Sequence, residues 1–214
     1  MYLAVEGVIG VGKTTLARLL QPVFAAEVLL EVFEENPFLS SFYADRARYA
    51  FQTQIFFLLS RYHQQHEAAP SGLARGSLVA DYTFGKDALF ARLNLHGDEL
   101  EMYQRVHDAL AEKIPSPDLV VYLRADTDVL MRRIAQRDRP YERAMERDYI
   151  ADLGRTYDEF YLGRPASGPG ACLTIDTNDL DFAGSSADLA YVTGRIRSAL
   201  GIGSYQAALP LDSP

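Results

Sequence analysis

Nine residues near the start of the chain, GVIGVGKTT at positions 7–15, restrict what it can fold into more than any other stretch. They follow the apolar run Tyr2, Leu3, Ala4, Val5 and precede a segment of helical period, and Gly7, Gly12, Lys13 and Thr14 satisfy the pattern G-x-x-x-x-G-K-[ST]. Glycines at this spacing let backbone N–H groups turn inward around phosphate oxygens, and the N-terminus of the following helix adds partial positive charge. Lys13 reaches the β and γ phosphates and the Thr14 hydroxyl ligates Mg²⁺, with Gly10 and Thr15 counted in the same donor-binding set. A strand, a phosphate-holding turn and a helix are therefore expected in succession. The open question is which molecule accepts the phosphoryl group, or whether any does.

Four further apolar runs, EVLLEVF, SLVADY, DLVVYLRA and CLTIDT, alternate with segments of helical period. Near-continuous apolar strands separated by helices describe a parallel sheet covered on both faces, so the predicted fold class is α/β, a five-stranded parallel sheet flanked by helices. With 214 residues, 48% of them hydrophobic, the chain can bury one substantial core, and a single domain over residues 1–214 is expected. No apolar segment approaches the roughly 20 residues that cross a bilayer, and the N-terminus enters a strand without a basic leader, which predicts a cytoplasmic protein with no membrane partner. A net charge of −8 argues against a large nucleic-acid surface, which rests on neutralising many phosphates at once. The single cysteine, Cys172, permits no internal disulfide and reads as a small core side chain. A loop is expected from Gly163 to Gly170 with Pro165 and Pro169, and a loosely packed tail beyond Gly201 with Pro210 and Pro214.

Three places could carry the chemistry beyond the phosphate turn. Ligands in such folds gather at the carboxyl ends of strands, which puts Glu31, at the end of the second strand, near the terminal phosphate. There it would take a proton from an acceptor hydroxyl or help hold the metal. Asp81, closing the third apolar run, suits the strand-end carboxylate that supports Mg²⁺. Arg132, Arg133, Arg137, Arg139, Arg143 and Arg147 crowd one stretch of an otherwise acidic chain. A helix capped by Asp126 or Thr127 and ending near Arg137 puts Arg133 and Arg137, spaced i, i+4, on one face, with Arg139 in the loop before Pro140. That arrangement resembles the lid of nucleoside and nucleotide kinases, which closes over the phosphates; here the lid would span about residues 138–147. Arg132, Arg143 and Arg147 read as surface residues. From Asp45 to about Ala69 one long helix is expected, with Phe51, Ile55, Phe56, Phe57, Leu58, Leu59 and Tyr62 forming an apolar belt wider than one stripe. One side can pack on the sheet while the other faces a pocket, a second subunit or more core.

Taken in order, GVIGVGKTT, EVFEENPF, YAFQTQIFFLLSR, DYTFGKDALFA and RIAQRDRPYE resemble the deoxyribonucleoside kinase family over nearly the whole chain, in particular its bacterial deoxyadenosine/deoxyguanosine kinase branch. The resemblance implies a P-loop kinase fold with an Arg-rich lid, ATP or another nucleoside triphosphate as donor, Mg²⁺, a purine deoxynucleoside as acceptor, and a homodimer. It implies that Glu31 is the general base for the 5′-hydroxyl, that Gln54 bonds the edge of the base, and that Arg61 and Asp87 pair at the deeper end of the pocket. Tyr43 and Glu142 would hold the 3′-hydroxyl, while Asp176 and Asn178, in the segment DTNDLDF, would contact the donor base. Arg133, Arg137 and Arg139 would act on the phosphates. Gln54 and Arg61 are seven apart and so share a helical face. Two departures stand out. The family normally shows Glu-Pro-Val where this chain has Glu31, Val32, Phe33. Where the family has Arg after the third-strand carboxylate, this chain has Tyr82. Lys86, one turn into the next helix, is then the expected replacement cation and a substrate-side residue together with Asp81.

Two other readings are compatible with the phosphate turn: a nucleoside monophosphate kinase resembling thymidylate kinase, and a nucleotide switch that transfers nothing. The first would want a fixed cation for an acceptor phosphate, and the position after Asp81 holds Tyr82. The second has no need of a carboxylate, a glutamine and a tyrosine converging beside the turn. One amide does not choose a base, because Gln54 can pair with adenine or, reoriented, with guanine or cytosine.

Overall fold

A strand apolar on both faces has to lie inside a sheet covered on both sides. β1 (Tyr2–Gly7) does so, with all six residues buried in the computed structural model, which describes residues 1–32, 35–143, 145–168 and 170–202. β2 (Ala26–Leu29), β3 (Ser77–Ala80), β4 (Leu119–Arg124) and β5 (Cys172–Asp176) join it in one parallel sheet of order β2-β3-β1-β4-β5. The chain fills one side of β1 first and then crosses to the other, so the sheet's crevice opens at the carboxyl ends of β1, β3 and β4. Alternation along the strands separates two cores: Leu3, Val5 and Val79 face one, and Tyr2, Ala4, Leu78 and Ala80 face the other, where Ala69 and Tyr82 close it.

Helices α1 (Lys13–Phe24), α2 (Leu39–Ala44), α3 (Arg46–Ala74), α4 (Lys86–Asn94), α5 (Gly97–Ala111), α6 (Thr127–Arg137), α7 (Arg147–Tyr161) and α8 (Ser186–Ala199) complete the described architecture. A 3₁₀ turn, Pro140–Glu142, lies between α6 and α7, where the lid was expected. Asp126 is the N-cap of α6, as expected.

Two boundaries differ from the sequence expectation. β2 ends at Leu29 instead of running on to Phe33, because the backbone turns out of the sheet to aim Glu31 at the crevice; Phe33 lies outside the described residues, as do Pro169 and the tail with Pro210 and Pro214. α3 continues through Pro70 to Ala74. Of its expected apolar belt, only Phe57 and Leu58 are buried. Phe51, Ile55, Phe56 and Tyr62 are only half-buried and Leu59 is exposed, whereas Thr53, Gln54, Arg61 and Gln65 are fully buried. Burial this complete of polar side chains calls for partners, and the cleft beneath α3 explains most of them.

Candidate active site

The phosphate turn is shaped by what surrounds it. Gly7 and Gly12 adopt φ of +147° and +103°, where a side chain is strained, and a Cβ at Gly12 would meet the Phe182 ring at 2.9 Å. Gly12 is the N-cap of α1, so the free N–H groups of that helix face the turn. The Lys13 ammonium donates to the carbonyls of Gly7 at 2.7 Å and Val8 at 3.2 Å. The Thr14 hydroxyl donates to Asp81 Oδ2 at 2.5 Å, and Asp81 Oδ1 accepts from the Glu31 N–H at 2.7 Å. One carboxylate thus ties the turn to the end of β2.

Beyond Asp81 lies a buried charge network. Both oxygens of Glu31 are held: Lys86 Nζ donates to Oε2 at 2.6 Å, and Arg61 donates to Oε1 through Nε at 2.9 Å and again through Nη2. The other edge of the Arg61 guanidinium bonds Asp87 Oδ1, and its plane lies over Phe57, 4.4 Å from the ring centroid. Side-chain exposure is 6% for Arg61 and Lys86, 10% for Glu31 and none for Asp87, so the four charges face each other with almost no water. Burial by itself would raise the Glu31 carboxyl, but Arg61 and Lys86 outweigh it and hold the group well below the usual carboxylate range. Lys86 therefore stands on Glu31, where the replacement cation was expected. Tyr82 points elsewhere: its hydroxyl donates to Gln64 Oε1 at 2.5 Å, and Gln64 Nε2 donates to the Leu30 carbonyl at 2.6 Å, bracing the residue before Glu31.

A cleft opens from this network to the lid. Gly10, Lys13, Thr14 and Asp81 line its phosphate end, and Glu31, Gln54, Arg61 and Lys86 its floor. Tyr43, Glu142, Arg137 and Arg139 close the opposite side. Gln54 is 1% exposed, and its amide oxygen has no hydrogen-bond partner among the described residues. The Thr53 hydroxyl, on the same stretch of α3, is likewise buried without a partner among the described residues, and buried polar atoms left unpaired along a cleft suit a polar ligand. Arg137 grips Glu142 through Nε at 3.2 Å and through Nη2 at 2.6 Å to each oxygen, and Arg139 Nη1 stands 3.8 Å from the same carboxylate. The loop before α2 is fixed by Asn36, whose amide donates to the Thr53 carbonyl at 3.2 Å and whose oxygen accepts from the Phe38 N–H at 2.9 Å.

Two expectations need correction, the action of Arg133 on the phosphates and Glu31 as a metal ligand. Arg133 does not line the cleft: its guanidinium bonds the Thr177 hydroxyl at 3.1 Å and the Thr177 carbonyl at 2.6 Å, because one turn below Arg137 the nearest acceptors belong to the loop after β5. Asp176 and Asn178 bond each other, and Asn178 Oδ1 accepts from the Asp126 N–H at 2.8 Å, so both side chains brace that loop and neither lines the cleft. Glu31 is a poor metal ligand, since cations occupy both its oxygens. Asp87 bonds Arg61, the pairing expected of it. Arg143 pairs with Asp138 and Arg147 with Asp128 at the surface, as expected.

One buried group was missed altogether. Glu6, the last side chain of β1, is fully buried and accepts from the Thr83 N–H at 2.6 Å and the Thr83 hydroxyl at 2.8 Å. Burial raises its carboxyl above the ordinary value, while Lys86, Lys13 and the Thr83 bonds pull the other way. The only signal in the sequence was a carboxylate inside an apolar strand.

Thr14 and Asp81 supply hard oxygens side by side at the phosphate turn, a donor set suited to Mg²⁺, which prefers one or two carboxylates with phosphates and waters. Among the described residues no cluster of three His, Cys, Asp or Glu could hold a metal ion. No described helix is long and apolar enough to cross a membrane.

The sequence matches the deoxynucleoside kinase family over residues 3–200. It is 31% identical to the deoxyguanosine kinase of Bacillus subtilis (strain 168) over 93% of this chain and 97% of that protein. It is 29% identical to the deoxyadenosine/deoxycytidine kinase of the same organism over 92% of each. The structure of deoxyadenosine kinase from M. mycoides with bound dCTP superposes with a TM-score of 0.76 at 26% identity, covering 92% of this chain and 100% of that one.

Proposed function

The chain belongs to the deoxynucleoside kinase family, and from that premise we propose that it transfers the γ-phosphoryl group of ATP to the 5′-hydroxyl of a purine deoxynucleoside. The observation that carries this reading is the placement of Glu31, ionised and immobilised by Arg61 and Lys86, beside the Asp81 that anchors the phosphate turn. The turn, Lys13 and the N-terminus of α1 hold the donor phosphates. The nucleoside lies along the cleft with its base edge toward the unpaired oxygen of Gln54 and its 3′-hydroxyl between Tyr43 and Glu142. Its 5′-hydroxyl then faces Glu31.

A carboxylate held so far below its usual range is a weak base. That suits a loose transition state, in which the hydroxyl keeps its proton until late and most of the stabilisation is electrostatic. Glu31 orients the hydroxyl and receives the proton, while Arg137 and Arg139, reaching in from the lid, neutralise the transferred group. Thr14 and Asp81 would hold Mg²⁺, which supplies charge neutralisation between the outer phosphates when bound. Lys86 substitutes for the arginine missing at Tyr82. The purine preference is supported by the named activities of the relatives and by the Gln54 amide. A homodimer formed through α3 and α5 is supported by the exposed Leu59 and Met102 on those helices. A cytoplasmic setting is consistent with the one buried thiol, Cys172, pushed up to about 11 by burial.

Turnover of dA, dG, dC and dT and of their monophosphates by the purified protein tests this directly. Purine deoxynucleosides are expected to be the best acceptors. A monophosphate as best acceptor would transfer the assignment to nucleotide kinases, and nucleoside-independent ATP hydrolysis alone would remove the acceptor site.

A further inference from the structure

Phosphoryl transfer needs two groups of cations brought to one place: Lys13 on the phosphate turn, and Lys86 at the start of α4 beside Glu31. They sit on separate segments, one after β1 and the other after β3. Glu6 is the side chain that touches both. Its Oε1 accepts from the backbone N–H and the hydroxyl of Thr83, at 2.6 and 2.8 Å, and its Oε2 lies 3.4 Å from the Gly7 N–H and 3.3 Å from the Tyr157 hydroxyl. Thr83 opens the turn into α4, its carbonyl accepting from the Lys86 N–H at 3.2 Å, and its hydroxyl also stands 3.3 Å from Tyr161. Gly7 opens the phosphate turn. A strand this apolar would be filled more cheaply by valine if packing were the only requirement. A fully buried carboxylate surrounded by donors from two functional segments costs desolvation that packing alone does not repay.

We propose that Glu6 is a positioning residue for phosphoryl transfer, clamping Gly7 to Thr83 so that the phosphate turn and the Lys86 end of α4 meet in one fixed geometry. The inference rests on the kinase reading above. Glu6 touches neither donor nor acceptor; it acts through the segments it joins. Displacing reacting groups by about an ångström can cost on the order of 10² in rate. Disturbing the clamp therefore lowers kcat while leaving the base-facing stretch of α3 around Gln54 as it was.

Steady-state kinetics on Glu6→Gln, Thr83→Val, Thr83→Ser and the double Glu6→Gln/Thr83→Val test it, with folding followed by circular dichroism. The amide of Glu6→Gln keeps one acceptor for Thr83 but sets an N–H₂ group against the Gly7 N–H. The expected result is a fall in kcat of about 10- to 100-fold for Glu6→Gln and about 10-fold for Thr83→Val, with nucleoside KM within about twofold of the unsubstituted protein. Thr83→Ser, which keeps the hydroxyl, should recover most of the rate. The double variant should be no slower than Glu6→Gln, because both changes break one link. Unchanged kcat in the folded variants would overturn the proposal, as would multiplicative losses or losses that track the unfolded fraction. Should Glu6→Gln not fold, the Thr83→Val and Thr83→Ser pair decides by the same criteria. If the unsubstituted protein phosphorylates no deoxynucleoside, the functional reading fails first.

Discussion

The floor of the cleft and its lid are both built from arginines and carboxylates, yet they are opposite kinds of electrostatic device. On the floor, Arg61, Lys86, Glu31 and Asp87 have at most a tenth of their side-chain surface exposed, and every strong contact is to another member of the set. In the lid, the Arg137 and Arg139 side chains keep 35% and 32% of their surface, and the Glu142 carboxylate lies beside both. Buried charges paired with one another keep one geometry, because any displacement strands a charge in low dielectric. Arginines that keep a third of their surface in water can turn toward a new anion at lower cost than the buried ones, provided that the buried Glu142 finds another donor as they leave. The floor is therefore suited to orienting an uncharged acceptor before reaction, and the lid to answering charge that arrives with the donor and grows in the transition state.

The hardest blow to this distinction would come from the lid. Arg139→Ala is expected to lower kcat by about 10³, the lower end of what an arginine on a transferred phosphoryl group supplies. Thermal unfolding and nucleoside KM should stay close to those of the unsubstituted protein. Should nucleoside KM rise in parallel with the loss of rate, the lid would be shaping the acceptor site as well and the two regions would not be separable.

The floor should respond in the other manner. Glu31→Gln removes the carboxylate between two buried cations, so kcat should fall by about 10² while unfolding becomes easier by about 3 kcal/mol, the penalty for stranding a buried charge. Lys86→Ala should cost less, about tenfold in kcat, since Arg61 still holds the other oxygen of Glu31. Calorimetry and steady-state kinetics on the same samples decide. A Glu31→Gln protein as stable as its parent would mean that the floor is not the pre-built element described above.

How much of this could be read from sequence depended on whether the relevant neighbours are close along the chain. GVIGVGKTT was legible because the whole device is nine consecutive residues between a strand and a helix. Lys86 was legible because it lies one helical turn into α4, directly after the strand-end Asp81. Arg61 was legible only by half: its pairing with Asp87 came from family resemblance, and its grip on Glu31 appears only when α3 is laid against the end of β2. Arg133 failed because spacing fixes a helix face and not the depth along it; one turn below Arg137 the guanidinium meets the Thr177 carbonyl first. Asp176 and Asn178 brace their own loop, as short polar side chains in a tight turn do. The belt of α3 misled for a related reason. Periodicity reports hydrophobic faces, and here Phe57 and Leu58 share the buried side of α3 with Thr53, Gln54 and Arg61, which line the cleft.

The gentlest probe of the comparison is pH, because floor and donor site should titrate apart. Burial, then the neighbouring Lys86, hold the Lys13 ammonium at about 8 against the opposing pull of Glu6, Glu31 and Asp81. Glu31 lies far below that range and stays ionised throughout. Between about pH 6 and pH 9, nucleoside KM should therefore be flat while kcat/KM for ATP bends downward above about pH 8, as Lys13 in the free protein loses the proton that the donor phosphates require. Stability gives the sign check. A lysine whose folded pKa is below its unfolded value binds more protons when unfolded, so its contribution to folding rises with pH from about 8 up to the ordinary lysine range. Donor capture should thus weaken over the same window in which this group makes the fold more stable, and unfolding cannot explain the bend. A bend in both profiles at one pH would place the same titrating group in floor and donor site alike, and the separation drawn between them would have to be abandoned.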